Sequence, residues 1–278
     1  MQLLPRKVYR WGLRLSAWSR RNDTLIWLLA GAYRGRTPLP AVVIIAMPKS
    51  GSIYMKQAVQ RVLRVSRVRF GGYGFTEPVV RPNAIPRMKF GFCVAKEYLP
   101  ASDHVVASLR LAVPAVAVHV RDPRRALISW IGHLQDRLDA GQSAEAWSFA
   151  ECVLPDHYER GSFAQRLEWH VEHVLPRLVA WIEGWVRVHD DPNQELKVVF
   201  STFEELERDP VACIRGMLER LEIPPQSMHF QRLPKLNPDL HNVRGDPAID
   251  RKSFYTPELW ERATAIVPAE LRARFGWS

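Results

Sequence analysis

Residues 41–52 read Ala41-Val-Val-Ile-Ile-Ala-Met47-Pro-Lys-Ser-Gly-Ser52, and the fold follows from how this stretch changes character halfway. An uninterrupted apolar run closed by turn residues is a strand covered on both faces, as in a parallel sheet. Pro48 to Gly51 is a turn, and residues 53–65 have helical spacing. The same alternation recurs along the chain. Further strands are expected at 90–94, 115–120 and 196–201. Helices are expected at 123–138, 162–188, 210–221 and 257–267. Strands alternating with helices give an α/β fold with a mainly parallel sheet and helices on its flanks.

The composition fits one globular domain. Of 278 residues, 47% are hydrophobic and 24% charged, too apolar for a disordered chain. No run of 18 apolar residues occurs, and the first residues lack the order of a signal peptide, so neither a membrane span nor a leader is expected. Cys93, Cys152 and Cys213 lie far apart with no Cys-x-x-Cys pair. That spacing favours a reducing, cytoplasmic compartment over a disulfide framework or zinc ribbon.

The net charge of +10 calls for an anionic partner. Residues 1–40 hold eight cations against Asp23, so seven of those ten charges lie in the first 40 residues. There Leu4, Val8, Trp11, Leu15 and Trp18 share one helix face, and Arg6, Arg10 and Arg14 the opposite one. Two readings stay open for this basic arm: an interfacial membrane anchor, or a helix packed on the domain with solvated arginines. No nucleic-acid reading module is recognisable, so a polynucleotide partner is not expected. The domain proper is residues 41–278.

Two motifs carry chemistry. Met47-Pro-Lys-Ser-Gly-Ser-Ile-Tyr54 follows the first strand directly, and a helix N-terminus after a small-residue turn binds anions through backbone N–H groups and the helix dipole. It is not the NTPase phosphate loop, because Gly-x-x-x-x-Gly-Lys-[Ser/Thr] is absent and Lys49 precedes the glycine. Val118-His-Val-Arg-Asp-Pro-Arg-Arg-Ala-Leu-Ile-Ser-Trp130 ends a later strand. Asp122 suits the cap of the following helix and Pro123 its first position. Arg121 and Ser129 then supply an arginine fork and a hydroxyl for a phosphate monoester. A structural Arg–Asp pair is the competing account of that motif.

Together these motifs resemble the family of sulfotransferases that use 3′-phosphoadenosine-5′-phosphosulfate (PAPS) and release adenosine 3′,5′-bisphosphate (PAP). The resemblance spans residues 41–260 and implies a P-loop NTPase-like, three-layer fold. It implies that Lys49, Ser50, Gly51, Ser52, Ile53 and Tyr54 hold the 5′-phosphosulfate and adenine. Arg121 and Ser129 would hold the 3′-phosphate. Residues 198–210, with Phe203, are similar to the family's Tyr-Glu-Asp-Leu stretch. His241-Asn-Val-Arg-Gly-Asp246 is similar to its late Arg-Lys-Gly loop, placing Arg244 and Gly245 on the nucleotide. The sequence departs at Ser52-Ile53-Tyr54, where the family has two threonines and a tryptophan, at Val243, which replaces a cation, and at Phe203, where tyrosine is common.

The implied reaction is sulfuryl transfer to an acceptor hydroxyl, with carbohydrate or glycolipid the first expectation, no metal, and Lys49 on the bridging oxygen. In Lys96-Glu-Tyr-Leu-Pro100, Tyr98 stands where cytosolic members have their basic histidine. A phenol with an ordinary pKa of about 10 is a poor base near neutrality. Glu97 is the first candidate base and His104 the second, with Glu97 as a plain surface acid the alternative. His170 and His173 lie one turn apart but lack a third metal ligand, which leaves them as helix-surface or acceptor-pocket residues. His119 reads as a core histidine, His133, one turn beyond Ser129, as a pocket-lining candidate, and Trp169, Trp181 and Trp185 as core, with a sugar-stacking platform the alternative. Rival functions are a kinase with a divergent phosphate loop and a non-catalytic membrane-surface protein.

Overall fold

The computed structural model describes residues 41–71, 80–141, 154–155, 158–233 and 251–278. The basic arm, Cys152, Arg244 and Gly245 lie outside the described residues.

The chain begins with β1 (Ala41–Ala46), the turn, and α1 (Ser52–Leu63). Next come β2 (Ser66–Val68), α2 (Ala84–Phe90), β3 (Cys93–Glu97) and α3 (Asp103–Ala112). Then β4 (Ala115–Val120), α4 (Pro123–Asp139), α5 (Phe163–His173) and α6 (Leu175–Asp190) follow. The remainder is β5 (Lys197–Thr202), α7 (Phe203–Arg208), α8 (Pro210–Arg220), α9 (Pro257–Ile266) and α10 (Ala269–Phe275), with a few 3-10 turns between. The five strands form one sheet in the order β2-β3-β1-β4-β5, and every pairing is parallel. The α/β architecture with helices on both faces is therefore as expected.

Each face carries its own apolar core. Val42, Ile44 and Ala46 pack with Tyr54, Met55, Ala58 and Val59 of α1, and with Ile214 and Met217 of α8. The alternate residues Val43, Ile45 and Met47 pack with Leu127 and Ile131 of α4 and with Ile182 and Trp185 of α6. Period-two alternation explains why both sets are apolar: a central parallel strand has no polar side.

Helix starts follow the capping rules. Asp122 accepts from the Arg124 N–H at the start of α4, whose first residue is Pro123. Ser162 with Gln165 and Thr202 with Glu205 form reciprocal capping boxes. The segment expected as one helix, 162–188, is two, meeting at Val174 with Pro176 in the first turn of α6. The strand expected at 90–94 lies at 93–97 instead. Phe90 ends α2, and Gly91 and Phe92, both with positive φ, turn the chain into β3.

The helix after β1 covers one face and the helix after β4, the adjacent strand, covers the other. The carboxyl ends of β1 and β4 therefore form the topological switch point, where open α/β sheets commonly bind ligands.

Candidate active site

The turn leaves β1 at Met47, whose N–H donates to the His119 carbonyl of β4 at 2.9 Å. Lys49 has φ 61° and Gly51 φ 78°, two left-handed residues within three positions. Such conformations cost free energy in a non-glycine residue and cluster at ligand sites. Ser50 is fully buried, and its Oγ–H donates to the Met47 carbonyl at 2.6 Å, so this hydroxyl braces the turn from inside. Gly51 is the N-cap of α1, and no side chain caps that end. The first-turn N–H groups of α1 therefore receive no side-chain oxygen from the N-cap, as an anion-binding helix start requires.

Gly51 is glycine for a second reason. A Cβ there would stand 2.9 Å from Cδ2 and 3.0 Å from Cε2 of Phe203. Phe203, buried at the start of α7, also carries the Arg121 guanidinium 4.0 Å above its ring centroid. Phe203 thus forms a floor between the glycine of the turn and Arg121, which follows β4.

Arg121 is 4% exposed. One terminal nitrogen donates to the Lys49 carbonyl at 2.9 Å, while its buried Nε–H has no hydrogen-bond partner among the described residues. A buried guanidinium with an unused donor is ready for an anion. The neighbouring residues show which arginine is structural. Arg124, fully buried, takes the competing role of an Arg–Asp pair: it binds both Asp122 oxygens, at 3.0 and 2.8 Å. It also donates to Thr264 Oγ1 and to the Ser278 carbonyl and lies over Trp260. Arg121 makes no such carboxylate pair among the described residues. Ser129 is buried on α4, Ser52 is buried on α1, and Ile53 beside it is 52% exposed. Tyr54 is buried in the α1-side core, and burial raises its phenol pKa.

Glu97 closes β3, in register with Ile45. It is buried, and its carboxylate accepts the Phe70 N–H at 2.6 Å and the Gly71 N–H. Burial pushes its pKa up, opposed by these two donors and by Lys96 and Arg67. It is not a surface acid. His104 is exposed in the first turn of α3, beside Ser102 Oγ. Three cations flank Glu97: Lys56, Arg67 and Lys96, the last with Nζ 3.4 Å above the Tyr98 ring. Burial first, then Arg67 and Lys96, lowers the Lys56 pKa.

Two histidines interact with the turn. His133, one turn beyond Ser129 on α4, has its pKa lowered to about 4 by burial and then by Lys49. Its Nε2 accepts from Arg137 Nε–H. His119 is a core residue as read, and it also touches the turn: Nε2 lies 2.7 Å from the Ser50 carbonyl and Nδ1 2.9 Å from Ser201 Oγ. His170 is buried, against the surface or pocket placement expected of it, because its face of α5 packs into the core. Its Nδ1–H donates to the Arg166 carbonyl. His173 stacks on Trp169. Trp181 and Trp185 are core, and both indole N–H groups donate to the Leu99 carbonyl just beyond β3.

No family model and no curated protein matches the sequence. Among solved structures, the fold is similar to the crystal structure of mouse sulfotransferase SULT7A1 complexed with PAP, at 13% identity over 82% of each chain, with a TM-score of 0.49.

Proposed function

We propose that the chain is a sulfotransferase that moves a sulfuryl group from PAPS to an acceptor hydroxyl. The observation that carries this reading is the pairing of two anion-binding elements at the switch point. These are a left-handed Lys-Ser-Gly turn ahead of α1 and a buried Arg121 with an unused Nε–H. A nucleotide with a phosphosulfate at one end and a 3′-phosphate at the other satisfies both.

In this reading the turn and the N-terminus of α1 hold the 5′-phosphosulfate, and Arg121 with Ser129 holds the 3′-phosphate. The acceptor oxygen bonds to sulfur while the bond from sulfur to the bridging phosphate oxygen breaks. Catalysis of such an in-line displacement is mainly positioning and charge stabilisation. Lys49 stabilises the negative charge growing on the leaving oxygen. Glu97 takes the acceptor proton, its pKa raised by burial towards the operating pH. Of the two candidate bases, Glu97 ends the strand beside β1, whereas His104 is exposed on α3. The acceptor is a carbohydrate or lipid-linked hydroxyl, with the basic arm of residues 1–40 as the segment that meets a membrane surface.

The test is isothermal titration with PAP and, separately, with ATP plus magnesium. PAP binding that weakens on Arg121→Ala supports the reading. Binding of ATP with magnesium and none of PAP refutes it in favour of a kinase. Sedimentation with anionic liposomes, with and without residues 1–40, tests the arm.

A further inference from the structure

We infer that His119 is a positioning residue for the anion-binding turn, acting as a neutral clamp that holds both ends of the turn from β4; the inference rests on the nucleotide-binding reading of that turn. The backbone carbonyl of His119 accepts the Met47 N–H at 2.9 Å, where the turn begins. Its side chain reaches the Ser50 carbonyl at 2.7 Å, where the turn ends. One residue thus spans the four positions over which the chain changes from strand to helix.

The hydrogen positions follow from the partners. A carbonyl oxygen only accepts, so Nε2 carries the proton and donates to Ser50. Burial lowers the imidazole pKa to about 4, so the ring is neutral at physiological pH and Nδ1 accepts. Ser201 Oγ, 2.9 Å away and on the residue paired with His119 across β4 and β5, must then donate. The Ser50 carbonyl therefore fixes the tautomer, and the Ser201 hydroxyl, which can donate or accept, adapts to it from β5. Backbone hydrogen bonding to Ser50 and Ser201 opposes the effect of burial on the ring without outweighing it. Ala46, the partner of His119 in β1, is apolar, and Met217 Sδ of α8 lies 3.9 Å from Ser201 Oγ as a weak alternative acceptor.

The effect on a ligand is geometric. The Ser50 carbonyl and the Gly51 N–H belong to one planar peptide. Holding the oxygen toward His119 points the Gly51 N–H the opposite way. Turn donors that are already aimed lose little freedom when an anion arrives, which is how preorganisation raises affinity. A neutral histidine suits this task because an extra cation is not what it contributes. It contributes a donor on the buried side that leaves the outward N–H groups for the ligand.

The experiment uses the full chain. Histidine is labelled with nitrogen-15 for tautomer assignment, and PAP affinity is measured for wild type, His119→Gln and His119→Leu. Glutamine can place an amide N–H near the Nε2 position, whereas leucine fills volume without a donor. The expected results are an Nε2–H tautomer for His119, a PAP affinity weakened about tenfold in His119→Leu, and one within about threefold of wild type in His119→Gln. Three results overturn the inference: an Nδ1–H tautomer, wild-type affinity in His119→Leu, or equal losses in both variants. If His119→Leu does not fold, the tautomer and the glutamine variant decide. If wild type itself binds no PAP, the nucleotide reading fails, while the tautomer spectrum still reports separately whether the clamp exists.

Discussion

Gly51→Ala is the sharpest single perturbation, because two independent penalties meet at one methyl group. The backbone at Gly51 has φ 78°, where an L-residue pays about 1–2 kcal/mol. The new Cβ would also stand 2.9 Å from Phe203 Cδ2, a separation that forces a shift, and Phe203 is buried under Arg121 and cannot swing into solvent. Overpacking of this kind costs about 1–3 kcal/mol, giving about 2–5 kcal/mol in all. For a domain of this size that is a fall of about 5–15 °C in Tm. The second penalty has its own control. Phe203→Ala, which removes both contacting ring atoms, should cost about 3–5 kcal/mol alone, and in the double variant it should remove the clash and leave the φ strain. Thermal unfolding of the four chains in a double-mutant cycle, with PAP affinity alongside, separates the terms. A Gly51→Ala chain with unchanged Tm and unchanged PAP affinity refutes the argument. So does a cycle in which the two substitutions are simply additive.

Other consequences are equally open to measurement. Arg121→Ala should weaken PAP binding about 10- to 100-fold, with Arg121→Lys intermediate because a point charge lacks the guanidinium fork. Titration calorimetry checks this, and unchanged affinity in Arg121→Ala would count against the proposed site. Glu97→Gln should lower kcat at least tenfold with PAP affinity kept; near-normal turnover would remove Glu97 as the base and leave it as the anchor of Phe70 and Gly71. Acid should destabilise the fold. His119 and His170 are fully buried with folded pKa values lowered to about 4. The unfolded chain therefore binds more protons below pH 6.5, and stability present above that pH is lost as pH falls towards 4. The shift is worth about 3 kcal/mol per histidine at most. The raised carboxyls of Glu97 and Glu204 act in the opposite sense. Urea midpoints should fall from pH 7 to 4.5, and fall less in His170→Leu; equal falls in both chains would contradict the assignment for His170.

What was legible in the sequence was local. The run from Ala41 to Met47 is apolar on both faces of its strand, so its burial followed from composition alone. Asp122 and Pro123 announced the start of α4 because capping acts over two or three residues. Elements decided by distant contacts were not legible. β2 is three residues, Ser-Arg-Val, and is a strand only because it pairs with β3. α2 contains Pro86, which pattern reading takes as a breaker. The alternation Val118-His-Val120 placed His119 inside. Nothing in it showed that the ring would meet a carbonyl 69 positions earlier in the chain. The division of labour between Arg121 and Arg124 was equally hidden, since it depends on Thr264, Trp260 and Ser278, all remote in sequence.

That last arrangement ties the start of α4 to the late helices. Arg124 and Ser278 are 154 positions apart, yet one guanidinium joins the Ser278 carbonyl to the Asp122 carboxylate. Both members of the Arg124–Asp122 pair are out of water, so losing one strands the other, at about 3–5 kcal/mol. Asp122 adjoins Arg121 in the chain, so a change at Thr264 or Trp260 reaches the proposed site as lost order in the strand end rather than as a lost contact. Under the proposed function, the late helices would thus support the nucleotide site through Arg124.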